Sequence, residues 1–80
     1  MKDWRDAEHK VSYYFDTENG RIVGQVFNLA HTNIWGAKVY DPNNGHNEKT
    51  LGQYITFEFS KKAVEHFWLM QERTLSYEAT

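Results

Sequence analysis

The sequence lacks several residue types and patterns, and each absence excludes a class of structure or function. Its 80 residues include no cysteine, which excludes disulfide bridges and thiolate metal sites. No apolar run approaches the roughly 20 residues that span a membrane, and the polar residues 1–10 lack the apolar stretch of a signal peptide. We therefore expect a complete, small, cytoplasmic protein with no membrane partner, located in the host cytoplasm if its source is viral.

Positive charge is also in short supply. The chain has 9 Lys and Arg residues against 11 Asp and Glu residues, which gives a formal net charge of −2. Proteins that hold duplex DNA through its phosphates carry a clustered basic surface, whereas only Lys61 and Lys62 are adjacent here. Strong nonspecific binding to nucleic acid is therefore not expected.

Catalytic and metal-binding motifs are missing as well. No two of the four histidines have the H-x-x-x-H spacing of a metal site: His9, His31, His46 and His66. The loop around His46 lacks the calcium-binding frame. The five glycines are too widely spaced for a phosphate loop, and the serines have ordinary structural explanations. We predict no catalytic residue, no metal site, no cofactor and no enzymatic activity.

What the chain contains in quantity is aromatic residues. Five Phe, three Trp and five Tyr predict a core built from rings. Eighty residues make one domain, and a domain of this size buries only roughly 60% of its unfolded surface. Its stability is therefore marginal, and association with a partner would increase it.

Alternation of apolar and polar residues predicts four β-strands within residues 10–55, at residues 11–16, 21–29, 34–40 and 51–55. Asn19-Gly20 marks a hairpin, because both residues tolerate positive φ. Gly24 indicates a bulge or a close neighbour inside its strand. Residues 41–50 hold the only proline and no apolar residue, which predicts a loop. The short connections favour an antiparallel meander, since parallel pairs need long crossovers.

One helix is predicted over residues 56–73. Small or apolar residues recur there at the spacing of a helix face that lies on a core: Phe57, Ser60, Ala63, Val64, Phe67 and Gln71. Either Thr56 or Ser60 fits the N-cap position. We favour Thr56, because the face then begins at Phe57 and Glu58 lies near the positive end of the helix dipole.

These elements predict an α+β fold, an antiparallel four-stranded meander of order β-β-β-β-α with one C-terminal helix packed on one sheet face. The remaining residues are assigned to an N-terminal arm at residues 1–9 and to a frayed tail at residues 74–80. Trp4 is expected to anchor the arm to the body by burial.

Residues 67–70, Phe-Trp-Leu-Met, are four consecutive bulky apolar residues, here called the FWLM cluster. Each residue is rotated by about 100° from the last, so the cluster surrounds the helix, and one sheet covers only one side. The N-terminal segment, a second copy of the chain or a different protein would cover the rest. The predicted partner-binding residues are Phe59, Trp68, Leu69 and Met70.

A resemblance covers the C-terminal half of the chain. Residues 35–40 (WGAKVY), 51–56 (LGQYIT) and 60–65 (SKKAVE) resemble a pattern in small uncharacterised phage and bacterial proteins. In that pattern a W-x-A-x-V strand precedes L-G-x-[FY]-x-[ST], and an E-x-A-K-x-A-V-E helix follows. This chain departs from it at Phe59 and Ser60. The resemblance implies the same fold and a phage or prophage origin, and it implies no chemistry.

We predict a non-enzymatic protein-interaction module, a small phage-type accessory protein that binds a protein partner or itself as a homo-oligomer. Its contact surface would be the FWLM cluster or the aromatic sheet face. The alternative is single-stranded nucleic-acid binding, in which bases stack on rings beside basic side chains. The candidates for that role are Tyr14, Tyr40, Tyr54, Lys38 and Arg21. Net acidity disfavours it, and tyrosines are also good cross-strand pairs on a half-exposed sheet.

Overall fold

A computed structural model describes residues 1–30 and 32–79, with side chains for residues 1–30 and 32–72. Within them the chain forms five strands, a short 3-10 turn (Pro42–Asn44) and one α-helix. The elements are β1 (Lys2–Ala7), β2 (Val11–Asp16), β3 (Arg21–Asn28), β4 (Trp35–Asp41), β5 (Asn47–Tyr54) and α1 (Phe57–Ala79). The strands lie in chain order in one sheet, and all neighbours are antiparallel.

The predicted α+β class, the antiparallel meander and the C-terminal helix are confirmed, but the strand number of four is wrong. The segment assigned to an arm is an edge strand, β1, whose Trp4 lies opposite Tyr14 of β2. β1 has a single aromatic ring among charged residues. Its sequence therefore does not show the alternation of apolar and polar residues that indicates a strand. Two other bounds differ. β5 begins at Asn47, inside the predicted loop, and the α1 backbone continues to Ala79, beyond the predicted end at residue 73.

A β-bulge in β3 sets the directions of its side chains. Tyr14 lies opposite Gly24 and Phe15 lies opposite Ile22, which leaves Val23 as the extra residue. Gly24 also has a close neighbour, because a Cβ at this position would lie 2.6 Å from Cγ1 of Val64 in α1. Both structural features that Gly24 predicted are therefore present.

The core lies between α1 and one face of the sheet. Its fully buried members are Val26, Ala37, Val39 and Val64, and seven half-buried residues pack against them: Trp4, Tyr14, Leu51, Tyr54, Phe57, Phe67 and Trp68. Thr56 is the N-cap, since its Oγ1 accepts a hydrogen bond from the Phe59 amide at 3.0 Å. Trp4 anchors β1 as predicted, with its ring 4.7 Å from Tyr14. None of the helices within the described residues is long and apolar enough to cross a membrane.

Candidate interaction surfaces

The sheet has a second face, which α1 does not cover. Because successive side chains of a strand point to opposite faces, the neighbours of the core residues point away from the helix. The cross-strand register places these neighbours together. We call this surface the open face, and its central side chains are Arg5, Tyr13, Phe15, Ile22, Gln25, Phe27, Lys38 and Tyr40. No described element of the chain packs on it.

Four aromatic rings dominate the open face. Tyr13, Phe15, Phe27 and Tyr40 are all half-buried, although no helix lies over them. Gly36 explains the position of one ring. A Cβ at Gly36 would lie 2.6 Å from two ring carbons of Phe27, so the ring occupies the space that a side chain would take. The Phe27 ring therefore lies low on the sheet, and the four rings supply much of the apolar surface of the open face.

Two cations stand among these rings, and they differ in their partners. The Lys38 ammonium lies 3.0 Å from a carboxylate oxygen of Glu48 and 5.9 Å from the centroid of the Phe27 ring. The Arg5 guanidinium carbon lies 3.9 Å from the centroid of the Phe15 ring. No described carboxylate is within ion-pair distance of Arg5. Lys38 is thus neutralised within the chain, whereas the Arg5 charge is held by a ring alone.

The structure does not bring together the five residues predicted to bind nucleic acid. Tyr40 and Lys38 lie on the open face, but Tyr14 and Tyr54 pack against the core under α1. Arg21 lies opposite Asp16 on the helix side, with a guanidinium nitrogen 3.4 Å from Nε2 of His46. The prediction that both tyrosines share the face away from the helix is therefore wrong.

The physical reason lies in β2. The helix covers the face of Ser12, Tyr14 and Asp16, and the more apolar face of Tyr13 and Phe15 is left open. The buried polar groups of the covered face have partners: Ser12 Oγ donates to Asp6, and Asp16 accepts from the Glu18 amide and from Asn19. No sequence signal reveals those partners. The sequence therefore does not identify four residues of the open face as surface residues: Arg5, Tyr13, Phe15 and Phe27.

The residues predicted to bind a partner around α1 are also divided. Trp68 turns toward the sheet, where its indole N–H donates to the Val23 carbonyl at 3.1 Å. Phe59, Leu69 and Met70 are 53%, 49% and 43% exposed. Leu69 lines a cleft of about 680 Å³ that also contacts Met1 and Lys2 at the β1 edge, whereas Met70 lines a smaller one with Leu51 of β5. The four residues therefore do not form one surface.

Polar contacts connect β1 and α1 beside this cleft. Lys2 Nζ lies 2.6 Å from a Glu72 oxygen, and the Trp4 indole N–H donates to Glu65 at 2.8 Å. Burial raises the pKa of the nearby Tyr14 hydroxyl, and the negative charges of Glu65 and Glu72 raise it further. The contacts of Lys2 and Trp4 attach β1 to α1. The cleft therefore lies along the packing contact between β1 and α1.

Metal ligands do not converge within the described residues, where no group of three or more His, Asp or Glu side chains could hold an ion. His46 is beside Arg21, and His31 lies outside the described residues.

Comparisons of the chain with protein-family models, curated proteins and solved structures found no match. The resemblance to small phage and bacterial proteins therefore stays a prediction.

Proposed function

We propose that this chain is a non-enzymatic protein-interaction module that binds a protein partner on the open face. The observation that carries the proposal is the set of four half-buried rings, Tyr13, Phe15, Phe27 and Tyr40, on a sheet face without a covering element in the described residues. Exposed apolar side chains grouped on one face are typical of interaction sites. A role as a small phage-type accessory protein is supported by the sequence resemblance alone.

The energy available from burying the rings is small compared with the cost of association. Covering four partly exposed rings removes on the order of 200 Å² of apolar surface, which contributes about 5 kcal/mol. Association costs roughly 4–15 kcal/mol in lost translational and rotational freedom. The rings alone therefore do not hold a partner, and a directional polar contact has to supplement them.

The charges on the open face favour a protein over a single-stranded nucleic acid. Each nucleotide brings one phosphate, and proteins that bind such strands line the path with cations. Here Arg5 is without an anionic partner among the described side chains, while Lys38 is neutralised by Glu48. Asp3, opposite Phe15, adds a negative charge to the rim. Binding of nucleic acid is the disfavoured alternative.

Self-association remains a second prediction, and it concerns a different surface. Phe59 is exposed on α1, Met70 is exposed beside Leu51 of β5, and Leu69 is exposed toward β1. Scattered exposed apolar residues are common on monomers. Light scattering during size-exclusion chromatography measures the state directly: a concentration-independent monomer would refute a homo-oligomer without affecting the proposal for the open face.

The proposal is tested with peptides selected from a random library against the purified full chain. We expect the double variant, Tyr13→Thr with Tyr40→Thr, to bind the selected peptides at least tenfold more weakly. Threonine is compatible with a strand, and the two changes remove two rings. The matched control, Phe59→Ser with Leu69→Ser, removes two exposed apolar side chains on α1. Equal loss in both double variants, or loss in the control alone, would refute the open face as the binding surface.

A further inference from the structure

We infer that the open face recognises an acidic residue within an apolar segment of its protein partner, and that Arg5 is the residue that binds the carboxylate. This inference depends on the proposed function and specifies the chemistry of the partner. Three features support it: the position of Arg5, the arrangement of charge on the face, and the small number of cations there.

The position of Arg5 prepares its guanidinium for a planar anion. The guanidinium carbon is 3.9 Å from the centre of the Phe15 ring, which is a close cation–π contact. This contact restricts the side chain. No hydrogen bond or ion pair to any described residue uses its N–H donors. A carboxylate fits the guanidinium edge with two parallel hydrogen bonds.

The surroundings of Arg5 determine what must flank the carboxylate. The register sets Arg5, Tyr13, Gln25, Lys38 and Thr50 in one row across the strands. Apolar side chains border this polar row on both sides: Phe15, Ile22 and Tyr40 on one side and Phe27 on the other. A segment that places an acidic residue over Arg5 therefore brings its neighbours against rings. Apolar residues on either side of the acid complement such a surface.

The number of cations distinguishes a carboxylate on a peptide from the phosphates of a nucleic acid. The polar row contains two cations, Arg5 and Lys38, separated by three strand spacings, roughly 14 Å. Lys38 is held by Glu48 at 3.0 Å, so Arg5 alone is available. One available cation matches one acidic side chain, whereas a strand of nucleotides would bring several phosphates to a face whose rim carries the negative charge of Asp3.

The test combines changes on both sides of the proposed contact. Peptides selected against the full chain are resynthesised with each Asp or Glu replaced by Asn or Gln, and their affinities are measured for the original chain, Arg5→Gln, Arg5→Lys and Lys62→Gln. Lys62 is an exposed cation on α1 and serves as the matched control. Circular dichroism and thermal unfolding establish that each variant is folded. Fluorescent single-stranded oligonucleotides are titrated in parallel at low salt.

We expect the selected peptides to share an acidic residue beside apolar ones. Arg5→Gln should weaken them roughly 30-fold or more, because a desolvated charge loses its partner. Arg5→Lys should weaken them less, and Lys62→Gln less than twofold. In the Arg5→Gln variant, replacing the acidic residue of the peptide by its amide should reduce the affinity little further.

Each other result overturns the inference, and the results separate it from the proposed function. Peptides that bind the open face with no acidic preference, or equally well to Arg5→Gln, would refute the role of Arg5 and leave the proposed surface intact. Oligonucleotide binding that is lost in Arg5→Gln, with no peptide selected, would refute both. The absence of any bound peptide or oligonucleotide would refute both as well.

Discussion

Replacement of Gly24 by alanine tests how closely α1 lies on the sheet. The added Cβ would lie 2.6 Å from Cγ1 of Val64, a side chain with no exposed surface. Carbon atoms pack best at about 3.5–4.0 Å, so the helix and the strand must separate by about 1 Å. The backbone of Gly24 is not left-handed, and the space above it is therefore the main constraint on alanine.

The expected change in stability follows from two opposing terms. Overpacking a core costs about 1–3 kcal/mol, and alanine recovers about 0.4–1 kcal/mol by restricting the unfolded chain. We expect Gly24→Ala to lower the free energy of unfolding by about 1–2 kcal/mol and the melting temperature by about 5–15 °C. Urea and thermal unfolding, followed by circular dichroism, measure both quantities.

A matched glycine supplies the control. At Gly36 the added Cβ would meet the Phe27 ring at the same 2.6 Å, but on the open face, where the ring can move toward solvent. Gly36→Ala should therefore cost less than about 1 kcal/mol, since its neighbour is not confined by the core. Equal losses in the two variants, or an unchanged Gly24→Ala, would refute the described packing.

A double-mutant cycle examines the same contact without relying on an absolute loss. Val64→Ala alone should cost about 2 kcal/mol, because it opens a cavity. In the Gly24→Ala background the same change should cost about 1 kcal/mol less, since the smaller side chain accepts the new methyl group. Strict additivity of the two losses would show that the two residues do not meet.

Three further predictions concern the helix cap and two titrating groups. Thr56→Ala should lose about 1 kcal/mol in urea unfolding, because the Phe59 amide loses its side-chain acceptor, while Thr56→Ser should retain the cap. Burial alone would raise the pKa of Asp16, but hydrogen bonds from Asn19 and neighbouring amides hold it below its usual value. Its stabilising effect is therefore present above the unfolded pKa of about 3.9 and is lost as pH falls through the folded value, so Asp16→Asn should destabilise the chain at pH 7 and much less in acid; an equal loss at both pH values would contradict this. Burial raises the pKa of Tyr14, and the charges of Glu65 and Glu72 raise it further. The contribution of Tyr14 to stability is therefore present below its unfolded pKa of about 10 and is lost as pH rises through its pKa in the folded chain. Glu65→Gln should shift its phenolate absorbance to lower pH, and an unshifted titration would refute the influence of that carboxylate.

The features that could be predicted from the sequence are those decided by neighbouring residues. Thr56 as N-cap, the helix face from Phe57 to Gln71 and the bulge at Gly24 each follow from local spacing. Asn19-Gly20 likewise lies in the β2–β3 connection, with φ of 66° at Gly20. In each case the signal comes from residues that lie close together in the chain.

The features that could not be predicted depend on contacts between distant segments. β1 has one apolar ring, and it is stabilised as a strand by pairing with β2 and by Glu65 and Glu72 of α1. The choice between the two faces of β2 depends on an acceptor for Ser12, Asp6, that comes from β1. Because the candidate site is the face left over from that choice, it could not be located before the strand partners were known.

Coverage of the sheet by one helix has a practical consequence. The fully buried core is limited to a few small side chains, so the folded state has little stability in reserve. A ligand that binds only the folded chain raises its melting temperature in proportion to the logarithm of its concentration over its dissociation constant. A thermal-shift screen of unlabelled candidates should therefore identify partners of the chain, whatever their chemical class.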